Sequence, residues 1–172
     1  MPDALVRGAL TLLLARPEDA DAIRAIWNHE VLETDHTTDT EPRDLRAQRA
    51  WLAAHGDDHP VVVAVSDGTV LGYGALSPYR PKPAFRRTVE DSVYVKRGAR
   101  GGGIGGAILA HLLELARERG HHSVLARITA PNAASLALHE RHAFARIGLE
   151  REVAFKRGRW LDVVVLQKIL DR

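Results

Sequence analysis

Cysteine is absent from the 172-residue chain. Its absence excludes disulfide bonds, thiolate metal sites and a cysteine nucleophile. No apolar run approaches the roughly 20 residues that a membrane-spanning helix needs. A strong charge of one sign is also missing, since 24 basic and 22 acidic residues give a formal charge of +2. This balance argues against a dedicated nucleic-acid-binding protein, and we expect neither nucleic acid nor membrane as a partner.

The N-terminal stretch "MPDALVRGAL" lacks the apolar segment of a signal peptide, so we expect a cytoplasmic protein. A chain of this length fits one domain, 1–172, that buries about 70% of its unfolded surface on folding. That is enough core for an enzyme.

Strand and helix patterns follow one another in the order β-α-α-β-β-β-α-β-α-β-β. A strand is predicted at 9–15, a helix near Pro17 and a second helix opened by Pro42. Two β-branched runs flank the two-residue turn Asp67-Gly68, and another hairpin is predicted at Gly158-Arg159. This order predicts an α/β (α+β) fold, a mixed sheet covered by helices.

The stretch "VYVKRGARGGGIGG" joins a predicted strand to a predicted helix. Backbone N–H groups at a helix start have no intrahelical partner, and glycine lets an anion approach them closely. Arg97 and Arg100 add positive charge to the loop. The cluster predicts a binding site for a pyrophosphate group. The alternative is a flexible strand-to-helix turn with solvated arginines.

The two common nucleotide motifs do not fit this loop. "GGGIGG" formally matches G-x-G-x-x-G, but the following strand "SVLARIT" offers Arg127 where that fingerprint needs a carboxylate. A P-loop would require G-K-[ST], and the chain reads Gly105-Gly106-Ala107 instead.

The arrangement R-x-x-G-x-G at 100–105 resembles the coenzyme A loop of the GNAT N-acetyltransferase superfamily. A second segment resembles the superfamily's other cofactor motif, through Asn132, Ser135, Leu138, His139 and Phe144. The chain is most similar to phosphinothricin and methionine sulfoximine acetyltransferases. The stretches that show this similarity are "NHEVLETDHTTDTEP", "PYRPKPAFRRTVEDSVYV", "RGGGIGG", "PNAASLALHE" and "KRGRWLDV".

The resemblance implies a mixed, mostly antiparallel central sheet, flanked by helices and splayed to hold coenzyme A between two strands. It implies acetyl-CoA as co-substrate, no metal, and a homodimer with the pocket near the subunit interface. The cofactor-binding residues that it implies are Val93, Tyr94, Val95, Arg100, Gly101, Gly102, Gly103, Ile104, Gly105, Gly106, Asn132 and Ser135.

Acetyl transfer to a protonated amine needs a base, and the resemblance implies Glu90 for this role. The period of a strand places Val89, Val93 and Val95 on one face, with Glu90 and Tyr94 on the other. A general base of this type contributes roughly 10²–10⁴ in rate. The alternative is a solvated acid on an edge strand.

The leaving thiolate and the thioester carbonyl also need donors. His139 stands where many superfamily members have a tyrosine placed to protonate the thiolate, and an imidazole can donate near pH 7. Its alternative role is a structural hydrogen bond. Tyr94 and the amides of its strand are further candidate donors. The other histidines show no metal-binding pattern.

Four residues are implied to contact the substrate. Arg80 and Lys82 suit the acidic end of an amino-acid analogue, although an exposed basic loop is the alternative. Phe85 stands where many relatives have tyrosine, and Thr38 stands where relatives often have an aromatic residue. Ala143 occupies a usual glycine position at the end of the second cofactor helix.

The resemblance therefore implies direct acetyl transfer from acetyl-CoA to the α-amine of a small amino acid or analogue. Phosphinothricin, methionine sulfoximine and methionine sulfone are the candidate acceptors. A second enzyme hypothesis changes the acceptor to a polyamine, an antibiotic amine or a protein N-terminus. A third hypothesis is a module that only senses acetyl-CoA, which would need neither Glu90 nor His139.

Overall fold

The computed structural model describes residues 10–170, and Ala9 of the predicted first strand lies outside them. The element order within this part of the chain is the predicted one. The elements are β1 (Thr11–Leu14), α1 (Ala20–Glu33), α2 (Leu45–Ala53), β2 (Val61–Ser66), β3 (Thr69–Pro78), β4 (Thr88–Val95), α3 (Ile104–Glu118), β5 (Ser123–Thr129), α4 (Ala133–Arg141), β6 (Ala145–Lys156) and β7 (Arg159–Ile169).

The strands form one sheet in the order β1-β2-β3-β4-β5-β7-β6. Only β4 and β5 run parallel, and the other neighbours are antiparallel. The predicted mixed, mostly antiparallel sheet is therefore confirmed. The β4–β5 pairing is short, because it ends at Glu90 opposite Leu125. Beyond that pair the two strands separate, which opens the gap predicted for the cofactor.

Helices cover both faces of this sheet. Strand β2 shows why, since Val62 and Ala64 pack into one apolar cluster while Val61 and Val63 pack into another. The first cluster contains the apolar stripe of α3, and the second contains that of α1. Among the described helices, none combines the length and the hydropathy that a membrane crossing requires.

Glycine in β3 allows α3 to pack directly on the sheet. A Cβ atom added at Gly74 would lie 2.5 Å from Ile108 Cγ2 and 2.7 Å from Leu112 Cδ1. No side chain fits at that separation unless the Ile108 and Leu112 side chains move. This close packing fixes the position of the N-terminus of α3, where the glycine loop ends.

Two predicted boundaries are wrong. Helix α2 begins at Leu45 rather than Pro42, because the Asp44 side chain caps it by accepting the N–H of Ala47 at 2.7 Å. The second hairpin turns at Arg157-Gly158, one residue before the predicted position. Both turn residues have positive φ, 51° and 77°, so the type I′ turn requires glycine second, as in Asp67-Gly68.

Helices α3 and α4 end with the same hydrogen-bond pattern but different residues. The N–H of His121 donates to Ala116 O at 2.9 Å after α3, and the N–H of Phe144 donates to His139 O at 3.1 Å after α4. The left-handed residue is Gly120 in the first case and Ala143 in the second, with φ values of 75° and 62°. An alanine therefore occupies a conformation that favours glycine.

Candidate functional site

Two cavities adjoin the gap between β4 and β5. One, the Glu90 cavity, has a volume of about 390 Å³, and the other, the loop groove, has about 500 Å³. The Glu90 cavity is lined by Thr37, Thr38, Asp39, Glu90, Asp91, Arg127 and His139 among others. The loop groove is lined by Glu30, Ala99, Arg100, Gly101, Gly103, Ile104, Gly105, Gly106, Leu138 and Arg141 among others. His36, Val93, Tyr94, Asn132 and Ser135 line both, so the two cavities form one continuous site.

The loop groove ends at the N-terminus of α3. The first helical bond there runs from Ala107 N–H to Gly103 O at 3.0 Å, so residues 104–106 have N–H groups without a helical acceptor. Gly101 and Gly103 have φ values of 82° and 79°, which other residues rarely adopt. A Cβ atom at Gly105 would lie 3.4 Å from Leu138 Cδ2, so a side chain there would narrow the groove. Bare amides in a groove of this shape fit an anion such as a diphosphate.

The strand wall of the groove offers backbone groups. Residues 91–95 of β4 pair with β3 on one side and have no pairing with β5 on the other. Their free edge faces the gap, as a cofactor that binds through backbone groups would require. Across the gap, Asn132 caps α4 by accepting the N–H of Ser135 at 3.2 Å.

The structure brings most of the predicted cofactor residues to this groove. All of them line it except Gly102. Arg100 lines it but has an additional partner that the sequence analysis missed. Its guanidinium pairs with Glu30, and its Nε donates to Val95 O at 3.1 Å.

Glu30 is a buried carboxylate on α1, with 2% of its side chain exposed. Besides Arg100, it accepts a hydrogen bond from Thr34 Oγ1 at 3.0 Å and contacts His36 Nδ1 at 3.1 Å. It therefore ties the glycine loop to the segment that follows α1. The signal for it was present, because position 30 falls on the apolar stripe of α1 with Ile26 and Trp27.

Glu90 is half-buried at the last position where β4 pairs with β5. Burial raises the pKa of its carboxyl group, and the nearby positive charge of Arg127 partly opposes this shift. No residue in the described range 10–170 forms a hydrogen bond with the Glu90 carboxylate. The guanidinium of Arg127 is itself paired with Glu150. An unpaired carboxylate with a raised pKa has the properties of a general base.

Asp91 and His139 form a buried ion pair on the opposite face of β4. His139 Nε2 lies 2.9 Å from Asp91 Oδ2, and His139 Nδ1 donates to Ser135 O at 2.8 Å. Burial alone would lower the pKa of His139. The pKa is nevertheless raised, by the hydrogen bond with Asp91, by the negative charge of Asp91 and by the hydrogen bond with the Ser135 carbonyl. Because both ring nitrogens face acceptors, the geometry favours the imidazolium form. Asp91 was missed, although it is the one charged residue on an apolar strand face.

Residues 36–39 form one wall of the Glu90 cavity. Thr38 lines this cavity, where the resemblance placed it. The backbone of Thr37 accepts the Nζ of the buried Lys156 at 2.8 Å, and burial lowers the pKa of that lysine. Tyr94 packs edge-on against Trp27 at a ring distance of 5.3 Å. Burial raises the pKa of the Tyr94 phenol, while its hydrogen bond with Thr37 lowers it.

The other predicted substrate residues lie outside the Glu90 cavity. Arg80, Lys82 and Phe85 belong to the loop between β3 and β4, and none of them is among its lining residues. The Arg80 guanidinium stacks 5.0 Å from the Tyr79 ring centre and 5.8 Å from that of Phe85. Across residues 10–170, no three metal-binding side chains stand close enough to hold an ion together.

Comparisons with known proteins agree with this geometry. A sequence profile of the acetyltransferase (GNAT) family matches residues 22–144. Phosphinothricin N-acetyltransferase of Streptomyces coelicolor is 40% identical over 157 residues, covering 89% of this chain and 92% of that protein. The L-methionine sulfoximine/L-methionine sulfone acetyltransferase of Pseudomonas aeruginosa is 42% identical over 156 residues, covering 89% and 90%.

Among solved structures, a phosphinothricin acetyltransferase of Sinorhizobium meliloti in complex with acetyl-CoA has the same fold, with a TM-score of 0.90. It is 34% identical, and the match covers 94% of this chain and 88% of that one. The chain therefore belongs to the GNAT acetyltransferase family and is an acetyl-CoA-dependent N-acetyltransferase.

Proposed function

We propose that the protein transfers the acetyl group of acetyl-CoA to the α-amine of a small amino acid or analogue. Phosphinothricin, methionine sulfoximine and methionine sulfone are the first acceptors to test, because relatives at about 40% identity bear those names. The observation that carries the proposal is the junction of the loop groove with the Glu90 cavity. Within the Glu90 cavity, an unpaired carboxylate stands where β4 and β5 separate.

The loop groove is the proposed cofactor site. Bound there, acetyl-CoA would supply a thioester that a neutral amine can attack. The amides of residues 104–106 would hold the diphosphate, and the free edge of β4 at 91–95 would hold the pantetheine arm. Asn132 and Ser135 would contact the arm from the opposite wall.

Glu90 is the proposed general base. An amine arriving in the Glu90 cavity as an ammonium ion must lose a proton before its nitrogen can form the new bond. The Glu90 carboxylate can accept that proton because no side-chain hydrogen bond in the described structure holds it. Its raised pKa increases the driving force for the transfer, and the positive charge of Arg127 limits how far the pKa rises.

His139 is the proposed proton donor to the departing sulfur. It lies on the α4 side of the gap, and as an imidazolium it could both donate a proton and stabilise negative charge. For the proton to reach sulfur, the Nε2–H group must leave Asp91. Tyr94 and the free amides of β4 remain the alternative donors.

Arg80 and Lys82 are proposed to attract the acidic end of the acceptor. Both are exposed on a loop outside the Glu90 cavity, and they would need to approach an acceptor that extends out of it. Thr38 already lines the cavity. A threonine there leaves more room than an aromatic residue.

The proposed homodimer would use the outer face of the β6–β7 hairpin. Apolar side chains at Ile147, Leu149, Val153, Phe155 and Trp160 are between 50% and 59% exposed there. Val153 also lines the Glu90 cavity, so this face continues to the site. We expect Phe155→Asp to convert a dimer to a monomer in light scattering. Leu13→Asp, on the far edge strand β1, should leave the dimer intact.

A panel of amines with acetyl-CoA, monitored by thiol release, tests the proposed acceptor class. We expect turnover with phosphinothricin, methionine sulfoximine or methionine sulfone, and none with polyamines or peptides. Turnover confined to peptides or polyamines would overturn the amino-acid acceptor while leaving the catalytic site in place. Tight acetyl-CoA binding without turnover on any amine would favour the sensing module instead.

A further inference from the structure

Two arginines line the loop groove from opposite walls, Arg100 on the glycine loop and Arg141 at the end of α4. We propose that Arg141 pairs with a phosphate group of acetyl-CoA, and that Arg100 is held by Glu30 to brace the loop. This proposal rests on the loop groove being the cofactor site. It differs from the expectation from the sequence, which gave the positive charge of the loop to Arg97 and Arg100 and no role to Arg141.

Arg100 is committed to protein partners. Its guanidinium pairs with Glu30, and its Nε donates to Val95 O. The Glu30 side chain is 2% exposed, so breaking the pair would leave a buried carboxylate without its cation. The positive charge of Arg100 is thus largely offset before any cofactor arrives.

Arg141 is exposed and uncommitted. Throughout residues 10–170, its guanidinium has no acidic partner and no hydrogen bond. The neighbouring cations differ in this respect, because Arg146 pairs with Glu140, and the Nζ of Lys168 donates to His142 O at 2.9 Å. Lys96 and Arg97 are also near the loop, but they line a separate cleft against the acidic start of α1.

The end of α4 lies directly over the start of α3. A Cβ atom at Gly106 would lie 3.6 Å from His142 Cε1 and 3.8 Å from Leu138 Cδ1. Arg141 stands between these two contacts in the sequence and lines the same groove. Arg141 therefore shares the groove with the free amides at 104–106, where the diphosphate is expected.

The chemistry of the ligand matches this placement. Coenzyme A carries a diphosphate and a 3′-phosphate, and arginine binds phosphate through two parallel N–H groups. The helix amides supply only partial charge. A full positive charge is needed nearby, and Arg141 is the arginine in the described groove that can provide it without losing an ion pair.

The test compares three acetyl donors: acetyl-CoA, acetyl-3′-dephospho-CoA, which lacks only the 3′-phosphate, and S-acetylpantetheine, which lacks both the phosphates and the adenosine. We expect Arg141→Gln to raise the KM for acetyl-CoA by about 10- to 100-fold, the effect of a lost charge-assisted hydrogen bond. The KM for S-acetylpantetheine should not change. Arg141→Lys, which keeps the charge, should recover most of the loss, and this rescue separates phosphate binding from damage to the fold.

The intermediate donor identifies the phosphate. If acetyl-3′-dephospho-CoA is insensitive to Arg141→Gln, the 3′-phosphate is the partner. If it is as sensitive as acetyl-CoA, a fourth donor, S-acetyl-4′-phosphopantetheine, which has a phosphate but no adenosine, decides between the diphosphate and the adenosine. Sensitivity of this fourth donor assigns Arg141 to the diphosphate, and its insensitivity would assign Arg141 to the adenosine and overturn the proposal.

Two matched variants complete the design. Arg146→Gln removes an exposed arginine that is paired with Glu140 outside the groove, and it should change no KM. Arg100→Gln should lower thermal stability and change the KM of all three donors by one common factor.

Equal effects of Arg141→Gln on all three donors, or a phosphate-dependent loss in Arg100→Gln alone, would overturn the proposal. Failure of the cofactor site itself would look different. In that case, the wild-type enzyme would use S-acetylpantetheine as well as acetyl-CoA.

Discussion

Replacing Asp91 with asparagine removes one partner of a buried ion pair and keeps the shape of the side chain. Asp91 and His139 are 6% and 3% exposed and meet at 2.9 Å. Breaking such a pair from one side costs roughly 3–5 kcal/mol. This is a large share of a total stability of about 5–15 kcal/mol. With an m-value of about 2 kcal/mol/M, the urea midpoint should fall by roughly 1.5–2.5 M.

The loss should also depend on pH in a defined direction. The folded pKa of His139 is raised, so the stability from its charge is fully present below the unfolded pKa of about 6.5. That stability is lost as the pH rises through the folded pKa. In Asp91→Asn, the His139 side chain is still buried but no longer has the negative charge of Asp91 beside it. The pKa of His139 should therefore fall below its value in the unfolded chain. The variant should therefore gain stability as the pH rises.

Urea unfolding of both proteins at about pH 5.5 and about pH 8.5 measures this difference. We expect the gap in unfolding free energy between wild type and Asp91→Asn to be larger at the lower pH. Asp39→Asn is the matched control, because Asp39 lines the same cavity but is exposed. It should change stability little at either pH. If the difference in unfolding free energy between wild type and Asp91→Asn is the same at both pH values, Asp91 and His139 are not a charged pair.

Glycine positions give further predictions. Gly74→Ala should destabilise the protein by about 1–3 kcal/mol in urea unfolding, since the added methyl group meets Ile108 and Leu112. Gly148→Ala is the control, because a methyl group at Gly148 meets only open space. Ala143→Gly should stabilise by about 0.5–1 kcal/mol, because relief of a left-handed alanine exceeds the entropy cost of glycine. In calorimetry that is a rise in Tm of about 1–4 °C, and Gly120→Ala should lower Tm. A fall in Tm for Ala143→Gly would contradict the claim that the left-handed backbone of Ala143 is strained.

The fold could be predicted from the sequence because its local signals agree with one another. The β-branched runs around Asp67-Gly68 and the glycine loop before α3 give strands, a turn and a helix start without tertiary information. The resemblance then supplied the splayed sheet, which neither period nor composition reveals. The two boundary errors have the same origin, since Pro42 and Arg159 stand beside the residues that form the cap and the turn.

The site was only partly predictable. Residues 93–95 and 100–106 follow from a contiguous motif, whereas Glu30 and Asp91 acquire meaning only through partners far along the chain. Glu30 meets Arg100 across 70 positions, and Asp91 meets His139 across 48. A single sequence shows that a charge falls on an apolar face, and it does not show which charge lies opposite. The proposed substrate role of Arg80 comes from the resemblance alone, because Arg80 lies outside the Glu90 cavity.

The central claim is that Glu90 accepts the acceptor's proton at the point where β4 and β5 separate. Its most direct test is Glu90→Gln, measured by calorimetry with acetyl-CoA and by thiol release across pH. We predict unchanged acetyl-CoA affinity, a rate lower by roughly 10²–10⁴, and loss of the acidic limb that the wild-type rate shows as Glu90 becomes protonated. Wild-type turnover in the Glu90→Gln enzyme would contradict the account.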